Sequence, residues 1–253
     1  MTATIRAIYR YPVKGLSAEC LPAAALEPRA TLMGDRRYAI ENGPSGFDAA
    51  APAYLPKQRF LMLMKNERLA RLDTSFIDTT GTLVIRESGR EAARGDLHTQ
   101  PGRAAIEEFF ARFCGDELRG PPKVLAAPGH SFSDVARKVV SIINLASVAA
   151  IEDFVGAPVH PLRFRGNLYV EGWPAWSELD GVGKELTIGS SARLKIVKRT
   201  VRCAATNVDP DTAVRDLNIP KTLMQTLGHA DCGVYAEVIA GGEIAPGDAI
   251  EIL

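Results

Sequence analysis

Apolar positions along the chain fall in short runs separated by turns rich in glycine and proline, a pattern typical of β-strands with tight connections. Runs rich in β-branched and aromatic residues predict strands over 4–11, 70–73, 82–86, 139–143, 168–170, 185–188, 193–201, 234–239 and 249–253. Residues 42–56 hold two glycines and three prolines and predict a loop, and a second loop is predicted over 94–102.

Two segments have helical patterns instead. Over 103–113 the apolar residues share one face, so we predict an amphipathic helix that Gly115 ends. That face is formed by Ala105, Ile106, Phe109, Phe110 and Phe113. A second helix is predicted to begin at Asn144 or Ser147, either of which can cap it, and to end near Gly156.

The order of these elements predicts the fold class. Strands and helices do not alternate regularly, which argues against a doubly wound parallel sheet. Many short strands with two or three helices predict a mostly β protein with added helices (α+β) and a barrel-like architecture.

Composition narrows the function classes. The chain has 253 residues, 46% of them hydrophobic and 24% charged, and can bury a large core. Lysine plus arginine and aspartate plus glutamate each total 30, so no nucleic-acid surface is indicated, although a local basic pocket stays open. The amino terminus lacks the apolar core of a secretory signal, and the longest apolar stretch, 139–151, is too short and too polar to span a bilayer. We therefore expect a cytoplasmic protein that does not act at a membrane.

The cysteines lie far apart and form no Cys-x-x-Cys pair, which argues against a zinc ribbon, an iron–sulfur site and a disulfide scaffold. They are Cys20, Cys114, Cys203 and Cys232. Cys203 differs from the others because Lys198, Arg199 and Arg202 precede it and the polar turn 207–212 follows it. Positive charge favours the thiolate, the nucleophilic and metal-ligating form of cysteine. The alternative is a buried structural cysteine, the commonest role of a free cysteine.

A second candidate is an anion site. Arg163 and Arg165 flank Phe164, and the glycine that follows lets a ligand approach the backbone before Asn167. The alternative is a solvated strand edge.

Two earlier segments could extend this site. If the fold joins Lys14, Ser17 and Arg36 to Arg165 and Asn167, they can bind a phosphate and a heterocycle. Each of them alone is a weak signal, since a lysine in a glycine turn is usually a surface residue.

Other catalytic patterns are missing. The four histidines lack metal-site spacing, and the stretch 130–134, with its His, Ser and Asp, has no nucleophile elbow to support a hydrolase triad. Neither a P-loop nor a Gly-x-Gly-x-x-Gly motif occurs.

Several short motifs follow one another in a characteristic order. They are Tyr11-Pro-Val-Lys14-Gly, Gly34-Asp-Arg36-Arg, Ser133-Asp134, Phe164-Arg165-Gly-Asn167, Arg202-Cys203 with Thr206, and Val208-Asp-Pro-Asp-Thr212. In this order they resemble the MOSC family, the domain found at the C-terminus of molybdenum cofactor sulfurases, together with its N-terminal β-barrel domain. The resemblance covers nearly the whole chain. It implies an N-terminal MOSC-associated β domain over 1–95 and a MOSC β-barrel with helical insertions over 96–253.

The resemblance also implies a cofactor site. Cys203 would be the protein ligand to the metal of a molybdenum cofactor (molybdopterin with molybdenum), a role that suits a soft thiolate. Thr206 and Asp209 would flank the metal and orient ligand or substrate. The pterin and its phosphate would be held by Lys14, Ser17, Arg36, Asn144, Ser147, Arg165, Asn167 and Arg202.

The implied activity follows from the functional relatives, the mitochondrial amidoxime-reducing components and their bacterial counterparts. It is the reduction of small N-hydroxylated compounds, with electrons from a separate ferredoxin- or cytochrome-like protein. One alternative is a sulfur carrier that receives a persulfide on Cys203 from a cysteine desulfurase. Another is a cofactor-binding module without turnover.

Overall fold

Strands dominate the computed structural model, which describes residues 1–253: 34% of the chain is strand and 23% is helix. The strands are β1 Thr2–Arg10, β2 Glu19–Leu21, β3 Ala24–Leu26, β4 Ala39–Glu41, β5 Leu72–Ile77, β6 Thr82–Glu87, β7 Arg90–Asp96, β8 Lys123–Leu125, β9 Val140–Asn144, β10 Leu168–Glu171, β11 Glu185–Ile188, β12 Ala192–Val201, β13 Asp231–Ala240, β14 Gly242–Ile244 and β15 Ala249–Ile252. The α-helices are α1 Gln100–Cys114, α2 Leu145–Val155 and α3 Ile219–Leu227. The predicted fold class, mostly β with added helices, is confirmed.

Seven strands close into a barrel in the order β10-β9-β13-β12-β11-β15-β1, because β1 pairs with both β15 and β10. All neighbouring pairs are antiparallel except β9 with β10. Side chains along β12 alternate largely between buried and exposed positions, since successive residues of a strand face opposite sides. Leu194 and Ile196 belong to a core of 22 buried residues. Each such side chain contributes about 1.5–3 kcal/mol to the free energy of unfolding.

A smaller sheet of β5, β6 and β7 packs against α1. The side chain of Thr99 accepts a hydrogen bond from the Gly102 amide, so the helix begins at Gln100, three residues before the predicted start. A Cβ on Gly95 would lie 2.1 Å from the Gly102 carbonyl oxygen, so two glycines allow strand and helix to touch. Although the division at 95/96 assigns α1 to the second domain, the helix packs into the core of the smaller sheet.

The two halves of the chain are interleaved in space. β1 lies at the start of the predicted domain 1–95, yet it is a strand of the barrel. The predicted strand at 70–73 is also shifted, because residues 70 and 71 end the 3-10 helix Glu67–Arg71 and β5 follows it.

The helices of the second half lie together. α2 and α3 pack against each other through a cluster that includes Ile151 and Leu223. Asn144 caps α2 by accepting a hydrogen bond from the Ala146 amide, and Gly156 ends the helix with a φ angle of 68°. No helix of the chain has both the length and the apolar composition that a membrane span requires.

Candidate functional site

A cavity lies where one end of the barrel meets segments from the N-terminal half. Its 23 lining residues come mainly from the turn after β1, the turn 35–36, residues 62–64, the segment before β9, the turn before β10 and the end of β12. Seven of the predicted site residues line it: Lys14, Arg36, Arg165, Asn167, Arg202, Cys203 and Thr206. The fold thus brings together residues that are far apart in the sequence.

Cys203 is part of the cavity lining. It lies two residues after β12, at the start of the 3-10 helix Ala204–Asn207, and is only partly buried. Nζ of Lys57 lies 3.2 Å from its Sγ, so a cation contacts the sulfur directly. Thr206 donates from its amide and its hydroxyl to the Cys203 carbonyl oxygen, each at 3.0 Å, which fixes the backbone here. These surroundings suit a ligand or a nucleophile.

Lys57 is the first member of a chain of alternating charges. Its Nζ lies 3.4 Å from Oδ2 of Asp134, and the other oxygen of Asp134 accepts a hydrogen bond from Lys14. Partial desolvation raises the pKa of Asp134, but the two ammonium groups outweigh it and hold that pKa below its ordinary value. Burial lowers the pKa of Lys14. Burial also opposes the charge of Lys57, but Asp134 and Cys203 together raise the Lys57 pKa, so the ammonium stays charged beside the sulfur.

Two arginines of the lining contact the same aromatic ring. Arg36 and Arg165 have φ angles of 48° and 51°, which cost a residue other than glycine about 1 kcal/mol or more. Their guanidinium carbons lie 4.3 and 4.2 Å from the centre of the Tyr11 ring. Backbone strain at both residues, with both cations over one ring, marks a built site.

The two guanidinium groups differ in their partners. Arg36 donates to both carboxylate oxygens of Asp35, at 2.7 and 2.6 Å, and to the carbonyl oxygen of Arg165 at 2.8 Å. Arg165 forms no ion pair, and its buried Nη2 has no hydrogen-bond partner. Burial lowers the pKa of Arg165 to about 10, so the group is still charged at neutral pH. The half-buried guanidinium of Arg165 thus lacks an ion-pair partner, and an anion in the cavity would supply one.

Arg202 and Asn167 also line the cavity, but their polar atoms bond to the backbone. Arg202 donates from Nε to the Cys232 carbonyl oxygen at 2.7 Å and from Nη1 to the Phe164 carbonyl oxygen at 2.9 Å. The amide group of Asn167 bonds to backbone atoms of β1 and β9. Both side chains therefore hold the walls of the cavity in place.

The remaining predicted residues lie outside the lining: Ser17, Asn144, Ser147 and Asp209. Asn144 and Ser147 are fully buried and both donate to the carboxylate of Glu178. Ser17 donates to the Leu72 carbonyl oxygen at 2.8 Å. The structure differs here from the predicted cofactor contacts, because these polar groups already bond within the protein.

Asp209 does not line the cavity, but it bonds to Arg163, which does. Its Oδ2 accepts a hydrogen bond from Arg163 at 2.7 Å, and its Oδ1 accepts from the amides of Asp211 and Thr212 in the turn. The Arg163 side chain is 1% exposed and also bonds to both carboxylate oxygens of Asp216 at 2.8 Å. Of the two arginines predicted as an anion cradle, only Arg165 is free.

Three further residues of the lining, Lys57, Asp134 and Tyr235, are absent from the site that the sequence predicts. Lys57 follows the last proline of the predicted loop, and no local pattern distinguishes it from a surface lysine. It is 146 positions from Cys203, so only the fold reveals their contact. Tyr235 lines the cavity from β13, and burial raises its pKa. For Asp134 the sequence offers one indication of a role in the site, because this residue belongs to the Ser133-Asp134 motif.

The charges of the cavity fit an anionic ligand. With Arg163 set aside as neutralised, the lining has five cations, Lys14, Arg36, Lys57, Arg165 and Arg202, against the carboxylates Asp35 and Asp134. No three His, Cys, Asp or Glu residues of the chain are grouped so that they could hold a metal ion. A metal bound through Cys203 would need its other ligands from an organic group, and the unpaired Arg165 fits one that carries an anion.

Both halves of the sequence match known domain families. Residues 2–120 match the MOSC N-terminal beta barrel domain, and residues 124–251 match the MOSC domain. The solved structure of the YuaD protein from Bacillus subtilis is similar over 100% of this chain and 96% of its own, with 13% identity and a TM-score of 0.48. YiiM from Geobacillus stearothermophilus and from Escherichia coli are similar over 45% of this chain and 53% of theirs, with 23% and 19% identity and TM-scores of 0.35 and 0.33. No protein with a curated description matches the sequence. Because the two matched domains together span almost the whole chain, the protein belongs to the MOSC family.

Proposed function

We propose that this chain binds the molybdenum cofactor in the cavity and reduces N-hydroxylated compounds such as amidoximes or hydroxylamines, with Cys203 as the ligand to molybdenum. The association of the MOSC family with this cofactor supports the proposal. One observation carries it: a single cavity is lined both by a partly exposed sulfur in contact with Lys57 and by Arg165, whose guanidinium has no ion-pair partner. A soft metal ligand and an anion site are what a phosphorylated, metal-bearing cofactor requires.

The residues of the cavity have two separate roles, binding of the anion and support of the metal ligand. Arg165, with Arg36 beside it, binds the anionic part of the cofactor, since its guanidinium has no counter-charge in the protein. Lys57 stabilises the negative charge on the Cys203 sulfur, and Thr206 fixes the backbone of that cysteine. When bound, the cofactor supplies the two-electron chemistry that removes an oxygen atom from the substrate.

The proposal also includes a separate electron donor, a ferredoxin- or cytochrome-like protein. All four cysteines of the chain are free, and they are not grouped as cluster ligands. The reducing electrons for each turnover would arrive through contact with this donor.

Elemental analysis of the purified protein tests the ligand assignment. We expect about one molybdenum per chain from a host that makes the cofactor, and loss of that metal in Cys203→Ala. Cys20→Ala is the matched control, since Cys20 is exposed and outside the cavity. Molybdenum that survives Cys203→Ala would overturn the assignment. Protein without molybdenum that gains one sulfur atom on Cys203 from a cysteine desulfurase would instead support the sulfur-carrier alternative.

A further inference from the structure

Glu178 is a buried carboxylate without an ion pair. It is 0% exposed and accepts hydrogen bonds only from neutral groups: Asn144 at 2.9 Å, Ser147 at 2.9 and 3.0 Å, and the Gly233 amide at 3.2 Å. Removing a carboxylate from water is costly even when its oxygens are hydrogen-bonded. A charge of the opposite sign close by would offset that cost.

The peptide bond between Cys232 and Gly233 connects Glu178 to such a charge. Its N–H donates to Glu178, and its carbonyl oxygen accepts from Nε of Arg202 at 2.7 Å and also from Nη2. An anion at the N–H and a cation at the carbonyl polarise a peptide in the same sense, which strengthens both hydrogen bonds. A Cβ on Gly233 would lie 2.5 Å from the Ile142 carbonyl oxygen and 3.0 Å from Arg202 Nη2. Only glycine lets the guanidinium lie against this peptide.

Arg202 in turn connects the backbone next to Cys203 with the backbone next to Arg165. Its Nη1 donates to the carbonyl oxygen of Phe164, the residue before Arg165, and Arg202 itself precedes Cys203. The position of this guanidinium therefore affects the backbone beside the sulfur and the backbone beside the free cation.

We propose that Glu178 is a positioning residue whose charge, relayed by the Cys232–Gly233 peptide, holds Arg202 in place and so fixes the geometry of the cavity. Asn144 and Ser147 have the role of orienting Glu178. The inference rests on the proposed function only in treating the cavity as the ligand site, and it concerns the protein without cofactor.

Glu178→Gln tests this positioning, because it removes the charge at nearly constant size. The matched control is Glu41→Gln, since Glu41 is also buried, accepts hydrogen bonds from the amide and hydroxyl of Ser45, and lies outside the cavity. The probe is the Nε–H resonance of Arg202 in cofactor-free protein, assigned with Arg202→Lys. In Glu178→Gln we expect this resonance to shift and its exchange with water to accelerate at least fivefold. A resonance and exchange rate like those of the wild type would overturn the proposal.

A double-mutant cycle gives a second, independent test. We expect Glu178→Gln to reduce the folding equilibrium constant at least fivefold more in the wild type than in Arg202→Met, since the charge of Glu178 acts through Arg202. Glu41→Gln should have the same effect in both backgrounds. Equal effects of Glu178→Gln in both would show a purely local role. Neither measurement involves molybdenum, so failure here and failure of the proposed function are distinguishable.

Discussion

Arg163 and Arg165 lie on either side of Phe164, at the end of the 3-10 helix Pro161–Phe164, and both line the cavity. Arg163 bonds to the carboxylates of Asp209 and Asp216, whereas Arg165 bonds to no carboxylate and stacks on a tyrosine ring. Arg163 is buried with its charge met by two carboxylates, whereas the half-buried Arg165 forms no ion pair. The comparison teaches that an arginine lining a cavity is available to a ligand where the protein leaves its charge unpaired.

The largest effect on the free energy of unfolding is expected at Arg163, the arginine that is paired with carboxylates. Arg163→Met should lower the free energy of unfolding by about 3 kcal/mol, because it leaves two carboxylates without their shared cation. Urea unfolding at neutral pH measures this loss. Arg163→Lys, which keeps the charge but not the planar fork, should lie in between. A loss below about 0.5 kcal/mol would contradict the structural role, since that is the range of ordinary surface substitutions.

Arg165→Met should instead leave stability intact and weaken the binding of an anion. We expect the free energy of unfolding to stay the same or rise, because no ion pair is lost and a partly buried, unpaired charge is removed. The affinity of cofactor-free protein for inorganic phosphate should fall at least tenfold, or about 1.4 kcal/mol, measured by titration calorimetry. Equal loss of stability in Arg163→Met and Arg165→Met would end the distinction between the two residues.

Asp134 offers an intermediate case, a carboxylate between two ammonium groups. Because its pKa is lower in the folded protein than in the unfolded chain, it stabilises the protein above about pH 4, and that contribution is lost as the pH falls through the folded pKa. Its side chain is 43% exposed, so Asp134→Asn should cost only about 1 kcal/mol at pH 7. Urea unfolding of both proteins should show this difference shrinking at pH 3. A difference independent of pH would exclude the ion pair as its source.

The sequence predicted most of what depends on local pattern. The spacing of Phe109, Phe110 and Phe113 predicted α1, and of the two predicted caps of α2, Asn144 and Ser147, the structure shows Asn144. The local pattern around a residue does not show which distant residues will bond to its side chain in the folded protein. Asp209 and Asp216 lie 46 and 53 positions from Arg163, so the sequence alone could not show which arginine they neutralise. For the same reason Ser147 was predicted to face a ligand, although its hydroxyl bonds to Glu178, 31 positions away.

The closure of the barrel by β1 has a consequence for the order of folding. The strand at the start of the chain pairs with β15 at its end, and the Met1 amino group donates to the Ile252 carbonyl oxygen across 251 positions. Forming such a pair requires closing a loop of nearly the whole chain, which costs entropy before any contact repays it. The barrel can therefore close only after the last strand has been synthesised. Residues 124–251, translated alone, would have an open barrel with unpaired edges at β10 and β15, a surface that invites aggregation.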